Sequence, residues 1–378
     1  MKKILCLLLL CGFADAVATA AELLILSPLD WQVVQRETKA AGKVPLRGER
    51  PVGAVIAWRV TGDAAAGVLP TGWQKIAANA EGREFSATLT LPAGGWYRLE
   101  VRALRGAETL AETNVAHVGV GEVFVVAGQS NSANHGEEKQ TPRSGKVAAF
   151  NGKIWQPAND PQPGASGGGG SFLPPFGDAL VERFKVPVGL VATGVGATSV
   201  REWLPRGTRF PNPPTLTGQV TQLASGEWEC QGTIFANFTA RLKQLGPRGF
   251  RAVLWHQGES DANQRDATRT LPGELYRKFL EQLIRDSRRE AGWDAPWFVA
   301  QVSYHVPGDE ASPDIRAAQA SLWQDGLALA GPDSDALKGE LRERGGKGVH
   351  FSGPGLREHA ARWVEKVVPW IEAQLGGQ

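Results

Sequence analysis

The hydrophobic pattern of this chain changes character near residue 119. From 22 to about 118 the apolar runs are short, at 22–26, 55–60, 84–91 and 96–102, with Gly, Pro and Asp between them. Phe85, Ala87, Leu89 and Leu91 alternate with polar residues, as do Tyr97, Leu99 and Val101. Period-2 alternation broken by glycine-rich turns predicts a small antiparallel β-sandwich. Beyond 119, strand-like runs at 123–127, 186–193, 251–255 and 297–302 alternate with helical patterns near 173–184, 234–245, 272–290, 313–329 and 354–373. Strand–helix alternation predicts βαβ units on a parallel sheet with helices on both faces. The last helix shows one apolar stripe, Leu356, Ala360, Trp363, Val364, Val367, Val368 and Ile371, with Pro354 in its first turn. The predicted architecture is therefore an α/β domain over 119–378 behind a β-sandwich over 22–118.

The run at 123–127 is apolar throughout and too short for a helix, as suits a parallel strand buried on both sides. It gives way at once to Gly128-Gln129-Ser130-Asn131-Ser132. In an open parallel sheet, ligands bind beyond the carboxyl ends of the strands, so Ser130 falls where a nucleophile belongs. Polar residues collect after the other strand runs too: 193–203 (TGVGATSVREW), 256–261 (HQGESD) and 348–352 (GVHFS). A serine, glycine-flanked loops, an amide side chain and a histidine converging on one sheet edge form an acyl-transfer inventory. The glycine-rich stretch 164–171 reads as a mobile loop near that cleft rather than a domain boundary.

Composition narrows the function classes. Lys2 and Lys3, an apolar core at 4–13 and a small-residue site at 18–20 make residues 1–21 a secretory signal, which implies a secreted or periplasmic protein. No later segment approaches ~20 uninterrupted apolar residues. The net charge is +2, and without Lys2, Lys3 and Asp15 it is +1; with no basic run, neither nucleic acid nor an anionic membrane is indicated as a partner. Cys230 is the one cysteine beyond the signal, which excludes an intrachain disulfide and a cysteine metal site. Trp31, Trp58, Trp73 and Trp96 admit two readings, sugar platforms or packing.

The segments GQSNS, GVGATSVREW, WHQGESD and GVHFSGPG resemble the four blocks of the SGNH hydrolases, in the branch of sialate O-acetylesterases and related carbohydrate acetylesterases. The resemblance covers about 119–378. It implies a three-layer α/β/α sandwich with a flavodoxin-like parallel sheet, and a serine esterase that removes O-acetyl groups from a carbohydrate without metal or organic cofactor. It implies Ser130 as nucleophile and His350 as general base. The oxyanion donors would be the backbone N–H groups of Ser130 and Gly196 and the side chain of Gln257. Arg201 and Trp203, just after the second block, fall at the pocket wall and admit two readings. They are substrate contacts, with Trp203 stacking on a sugar and Arg201 meeting a carboxylate, or structural residues, such as Arg201 paired with Glu202 or another acid. Gln129 is a further candidate substrate contact. Family members usually carry an aspartate three residues before the base, where this chain has Lys347. Three readings of the third catalytic member follow: a Ser–His dyad, a carboxylate from Glu259 or Asp261, or one from Asp333, Asp335, Glu340 or Glu343. Glu259 is the first choice. Two rivals stand beside the acetylesterase: a lipase or arylesterase on the same fold, and a carbohydrate-binding protein with a degenerate enzyme domain.

Overall fold

The computed structural model describes residues 22–76 and 82–376; the expected signal segment 1–21 lies outside them. The N-terminal part consists of β1 (Leu24–Ser27), β2 (Gln32–Gln35), β3 (Ala41–Glu49), β4 (Val55–Ala64), β5 (Gln74–Lys75), β6 (Glu84–Pro92), β7 (Gly94–Arg105) and β8 (Glu108–Gly128). Then follow β9 (Val147–Phe150), β10 (Trp155–Pro157), α1 (Leu173–Phe184), β11 (Val188–Ala192), and a small sheet of β12 (Arg209–Phe210), β13 (Val220–Gln222) and β14 (Trp228–Cys230). The chain continues through α2 (Thr233–Leu245), β15 (Ala252–His256), α3 (Gly273–Ala291), β16 (Trp297–Gln301), α4 (Pro313–Gln324), β17 (Leu329–Asp333), the short α5 (Glu343–Gly346) and α6 (Gly353–Gly376).

The protein is a mixed α/β structure built on a large mixed sheet. Its main path runs β10-β9-β11-β8-β15-β16-β17, parallel except at the β10 edge. Along β8, Phe124 and Val126 enter one apolar core with α1 and α6. Val123, Val125 and Ala127 enter another with α2 and α3. Burial on both faces explains the uninterrupted apolar run, because neither side of this strand meets water.

The first half of β8 pairs with β7 and β2, and β7 in turn with β4. A third core lies between these strands and the separate sheet β1-β3-β6, with Val44, Leu46, Phe85 and Leu91 facing Ile56, Tyr97, Leu99 and Val118. The expected boundary at 118/119 falls inside β8, so the two parts share a strand rather than a linker. The helix expected to reach 329 ends at Gln324, and Leu329 instead opens β17. Of the four tryptophans, Trp58 is core, and Trp73 lies under the guanidinium groups of Arg59 and Arg102. Trp31 and Trp96 pack with His117.

Where the two parts meet, the fully buried carboxylate of Glu122 accepts Nε–H of Arg36 and Nε–H of Arg251, each at 2.7 Å, and Nε2–H of Gln35 at 3.1 Å. Glu122→Ala would leave two cations at this junction without a counter-charge. It is expected to lower stability by about 3–5 kcal/mol, read as a shifted urea midpoint, with Glu122→Gln costing less.

Candidate active site

Gly128 ends β8 with φ +128°, and a Cβ there would meet His256 O at 2.0 Å, so the turn beside β15 requires glycine. The chain then enters a single 3-10 turn, Ser130–Ser132, at the carboxyl edge of the sheet. Ser130 is buried, and neither its hydroxyl nor its backbone N–H has a hydrogen-bond partner among the described residues. Next to it, Asn131 Nδ2 donates to Val349 O at 3.2 Å and to Glu259 Oε1 at 3.0 Å. The neighbours of Ser130 and His350 in sequence are thus joined directly.

His350 stands before α6 and donates from Nδ1 to Glu343 Oε1 at 2.9 Å. A carboxylate only accepts, so this contact places the ring proton on Nδ1 and leaves the Nε2 lone pair free. The backbone closes the same loop: Glu343 N–H reaches His350 O at 2.9 Å. Gly348 makes room for the carboxylate, since a Cβ there would lie 2.2 Å from Glu343 Cγ. Lys347, at the position where an aspartate was expected, is exposed.

A buried arginine holds the loop from behind. Arg342 donates to the carbonyls of Leu337, Val349 and Ser334 at 2.6, 2.7 and 2.8 Å, with its guanidinium between the rings of Tyr304 and Phe351. Burial lowers the His350 pKa below its ordinary 6.5, against the opposing pull of Glu343, so the imidazole is neutral near neutral pH.

The third block lies deeper. The Gln257 side chain is fully buried, and its Nε2 faces Asp261 Oδ2 at 2.7 Å, Thr198 O at 3.1 Å and Gln129 Oε1 at 3.2 Å. Asp261 also accepts from Val200 N–H and from Arg201 Nη2. Gly196 N–H donates to Ser166 Oγ at 2.7 Å, and that oxygen is 3.1 Å from His135 Nε2. The rings of His135 and His350 are 5.4 Å apart between centroids.

The model of the family described as carbohydrate esterase, sialic acid-specific acetylesterase, matches residues 120–368. The chain belongs to this family. Among solved structures, a carbohydrate acetylesterase from Xanthomonas citri is similar at TM-score 0.54 and 20% identity, over 95% of this chain and 76% of that one. At that identity the likeness shows the fold. A family 2 carbohydrate esterase from Corynascus thermopiles (Myceliophthora fergusii), solved with a carbohydrate-binding domain, gives 0.38 at 12% identity, over 90% and 92% of the two chains. A family two carbohydrate esterase from Clostridium thermocellum, in complex with cellohexaose, gives 0.37 at 13% identity, over 90% of each chain. No curated protein sequence matches the chain.

Within this esterase family member the geometry departs from several sequence expectations. Glu259 is not on His350: its carboxylate takes Nδ2–H of Asn131, and the imidazole partner is Glu343. The two protons of Gln257 Nε2 already face three acceptors, which leaves none for an oxyanion. Gln129 is buried, and its Oε1 accepts from Ser260 N–H and Gln257 Nε2. Arg201 is fully buried, bound to Ser199, Asp261 and the carbonyls of Asn212, Pro213 and Arg269, so its guanidinium is engaged inside the fold and braces the second block. Trp203 is likewise fully buried, its Nε1 on Thr198 Oγ1 at 2.9 Å and its ring against Trp255 and Phe238. Sequence reasoning passed over Ser166 and the role of Arg342. The serine in the glycine-rich stretch GASGGGGS was the available signal for the first.

Desolvation raises the Glu259 carboxyl to about 7. In the unfolded chain it titrates near 4.5, so the folded state binds the extra proton between those values. Its contribution to stability is full below pH 4.5 and is lost as pH rises through about 7. In Glu259→Gln this slope should disappear, so that the variant gains on wild type in melting temperature across that window.

Proposed function

We propose that this protein is an exported serine esterase that removes acetyl groups from a carbohydrate, with Ser130, His350 and Glu343 as its catalytic residues. The observation that carries this reading is the 2.9 Å His350–Glu343 contact, on a loop tied through Val349 to the segment bearing Ser130. His350 Nε2 takes the Ser130 proton as Oγ bonds to the acetyl carbonyl carbon, whose π pair moves onto oxygen. Collapse of this tetrahedral species breaks the ester C–O bond, and the proton passes from His350 to the departing sugar oxygen. Water then attacks the acetyl-enzyme, His350 takes its proton, and acetate leaves as Ser130 is reprotonated. Glu343 holds the ring in the correct tautomer and balances the imidazolium. Ser130 N–H, without a partner among the described residues, serves as an oxyanion donor.

Residues 1–21 act as a cleavable export signal in this reading. Residues 22–118 form a β-sandwich that braces the catalytic part through the shared strand β8. The non-catalytic alternative was sharpened by Lys347; the Glu343 carboxylate on His350 Nδ1 supports the catalytic reading over it. The lipase alternative predicts retained turnover on butyryl esters, whereas a small acyl pocket predicts a steep fall from acetyl.

Acetate release from a panel of acetylated glycans tests the proposal. Ser130→Ala should abolish release, and Glu343→Gln should lower kcat by roughly a thousandfold. Glu259→Gln should leave most of the activity. A wild type that frees no acetate from any glycan or from a small activated acetyl ester would refute the esterase reading. Because the base must be neutral, kcat/KM should rise with pH and level off with a midpoint below 6.5, the ordinary histidine value. A midpoint above that value in the pH–rate profile would exclude His350 as the base.

A further inference from the structure

The oxyanion site expected from sequence is short of donors. Gln257 Nε2 is committed to Asp261, Thr198 and Gln129, and Gly196 N–H is committed to Ser166 Oγ. Of the expected set, only Ser130 N–H has no partner among the described residues. A tetrahedral intermediate stabilised by a single donor would leave much of its charge unmet, since each donor lost from such a site lowers kcat by roughly 10²–10³.

The polarisation of Gly196 N–H is passed to a hydroxyl. Ser166 belongs to the glycine-rich loop, which is seated between two parts of the site by backbone bonds. Ser166 N–H donates to Gly194 O at 2.9 Å, and Asn134 N–H donates to Ser166 O at 3.0 Å. Gly194 leads into Gly196, and Asn134 follows the turn that carries Ser130, so the loop is anchored to both. Close packing holds the neighbours in place: a Cβ on Gly196 would lie 2.7 Å from His135 Nε2, and one on Gly167 would lie 2.3 Å from Asn134 O.

A hydroxyl has one donor proton and two acceptor lone pairs. Gly196 N–H fills the first lone pair of Ser166 at 2.7 Å. His135 Nε2, at 3.1 Å, lies on the hydroxyl as well, and a neutral imidazole with its proton on Nε2 fills the second. In that tautomer of His135 the one remaining Ser166 proton points away from both. We propose that Ser166 Oγ–H, oriented by Gly196 N–H and His135 Nε2–H, is a catalytic oxyanion donor that acts with Ser130 N–H on the acetyl carbonyl oxygen. Burial and the neighbouring His350 lower the His135 pKa, which keeps that ring neutral and suits the arrangement. A hydroxyl polarised in this way is a better donor than a free one, because each accepted bond strengthens the one it gives. The inference rests on the esterase reading above and names a further residue of the same site.

The test is steady-state hydrolysis of a small activated acetyl ester by wild type, Ser166→Ala, Ser166→Thr and Ser130→Ala. An interaction made only in the transition state lowers kcat and kcat/KM together. Ser166→Ala is therefore expected to lose roughly 10–100-fold in kcat, with KM within about twofold, while Ser166→Thr keeps most of the rate. Methylboronic acid, which forms a tetrahedral adduct on a nucleophilic serine, should bind Ser166→Ala more weakly by a similar factor. An unchanged or faster kcat in Ser166→Ala would overturn the proposal, since it would make Ser166 a bystander or a plug over Gly196 N–H. Failure of the parent reading looks different: wild type itself would show no turnover, or Ser130→Ala would retain it.

Discussion

The segment 123–127 sends its side chains alternately into two apolar cores, and this fixes where everything else must stand. A strand with no wet face has to lie at the centre of its sheet, between β11 and β15. Its only outlet to solvent is its carboxyl end, where Gly128 passes His256 O too closely for any side chain. Ser130 is set down two residues later, at the same edge to which β11 and β15 deliver the second and third blocks. The first half of the same strand runs on into the N-terminal sheet, so the two parts of the chain are joined by continuous hydrogen bonding and by the ion cluster around Glu122.

Around the candidate site, charge is concentrated in buried groups that shape the backbone. Asp261 and Arg201 lock the second block against the third, and Arg342 gathers three carbonyls of the loop that presents His350. Among the described residues the Ser130 hydroxyl and N–H have no partner inside the fold, in contrast to these engaged charges. That contrast separates the support from the groups proposed to react. Arg201 and Trp203, for which the linear motif admitted either a ligand contact or a structural role, lie on the supporting side. Their polar atoms are already satisfied inside, and exposing either would break a buried network.

Hydrophobic period and turn chemistry made the α/β character, the positions of α1, α2, α3 and α6 and the convergence of four segments readable from the chain. Each of those is a local property: an apolar stripe at helical spacing, a run without charge, a glycine after a strand. The motif words likewise identified the family before any coordinate did. Three things were not local. The continuity of β8 through residue 118 depends on partners β7 and β2, which lie elsewhere in the sequence. The acid partner of His350 depends on the kink at Arg344 and Gly345, where φ is +55° and +64°, which turns Glu343 back onto a histidine seven residues later. Glu259, close to Gln257 in sequence, faces Asn131 instead. The same limit applies to Gln257 and Ser166: an amide in a motif says that a donor is present, but the acceptors already around it decide whether that donor is free, and those acceptors are assembled only by the tertiary fold.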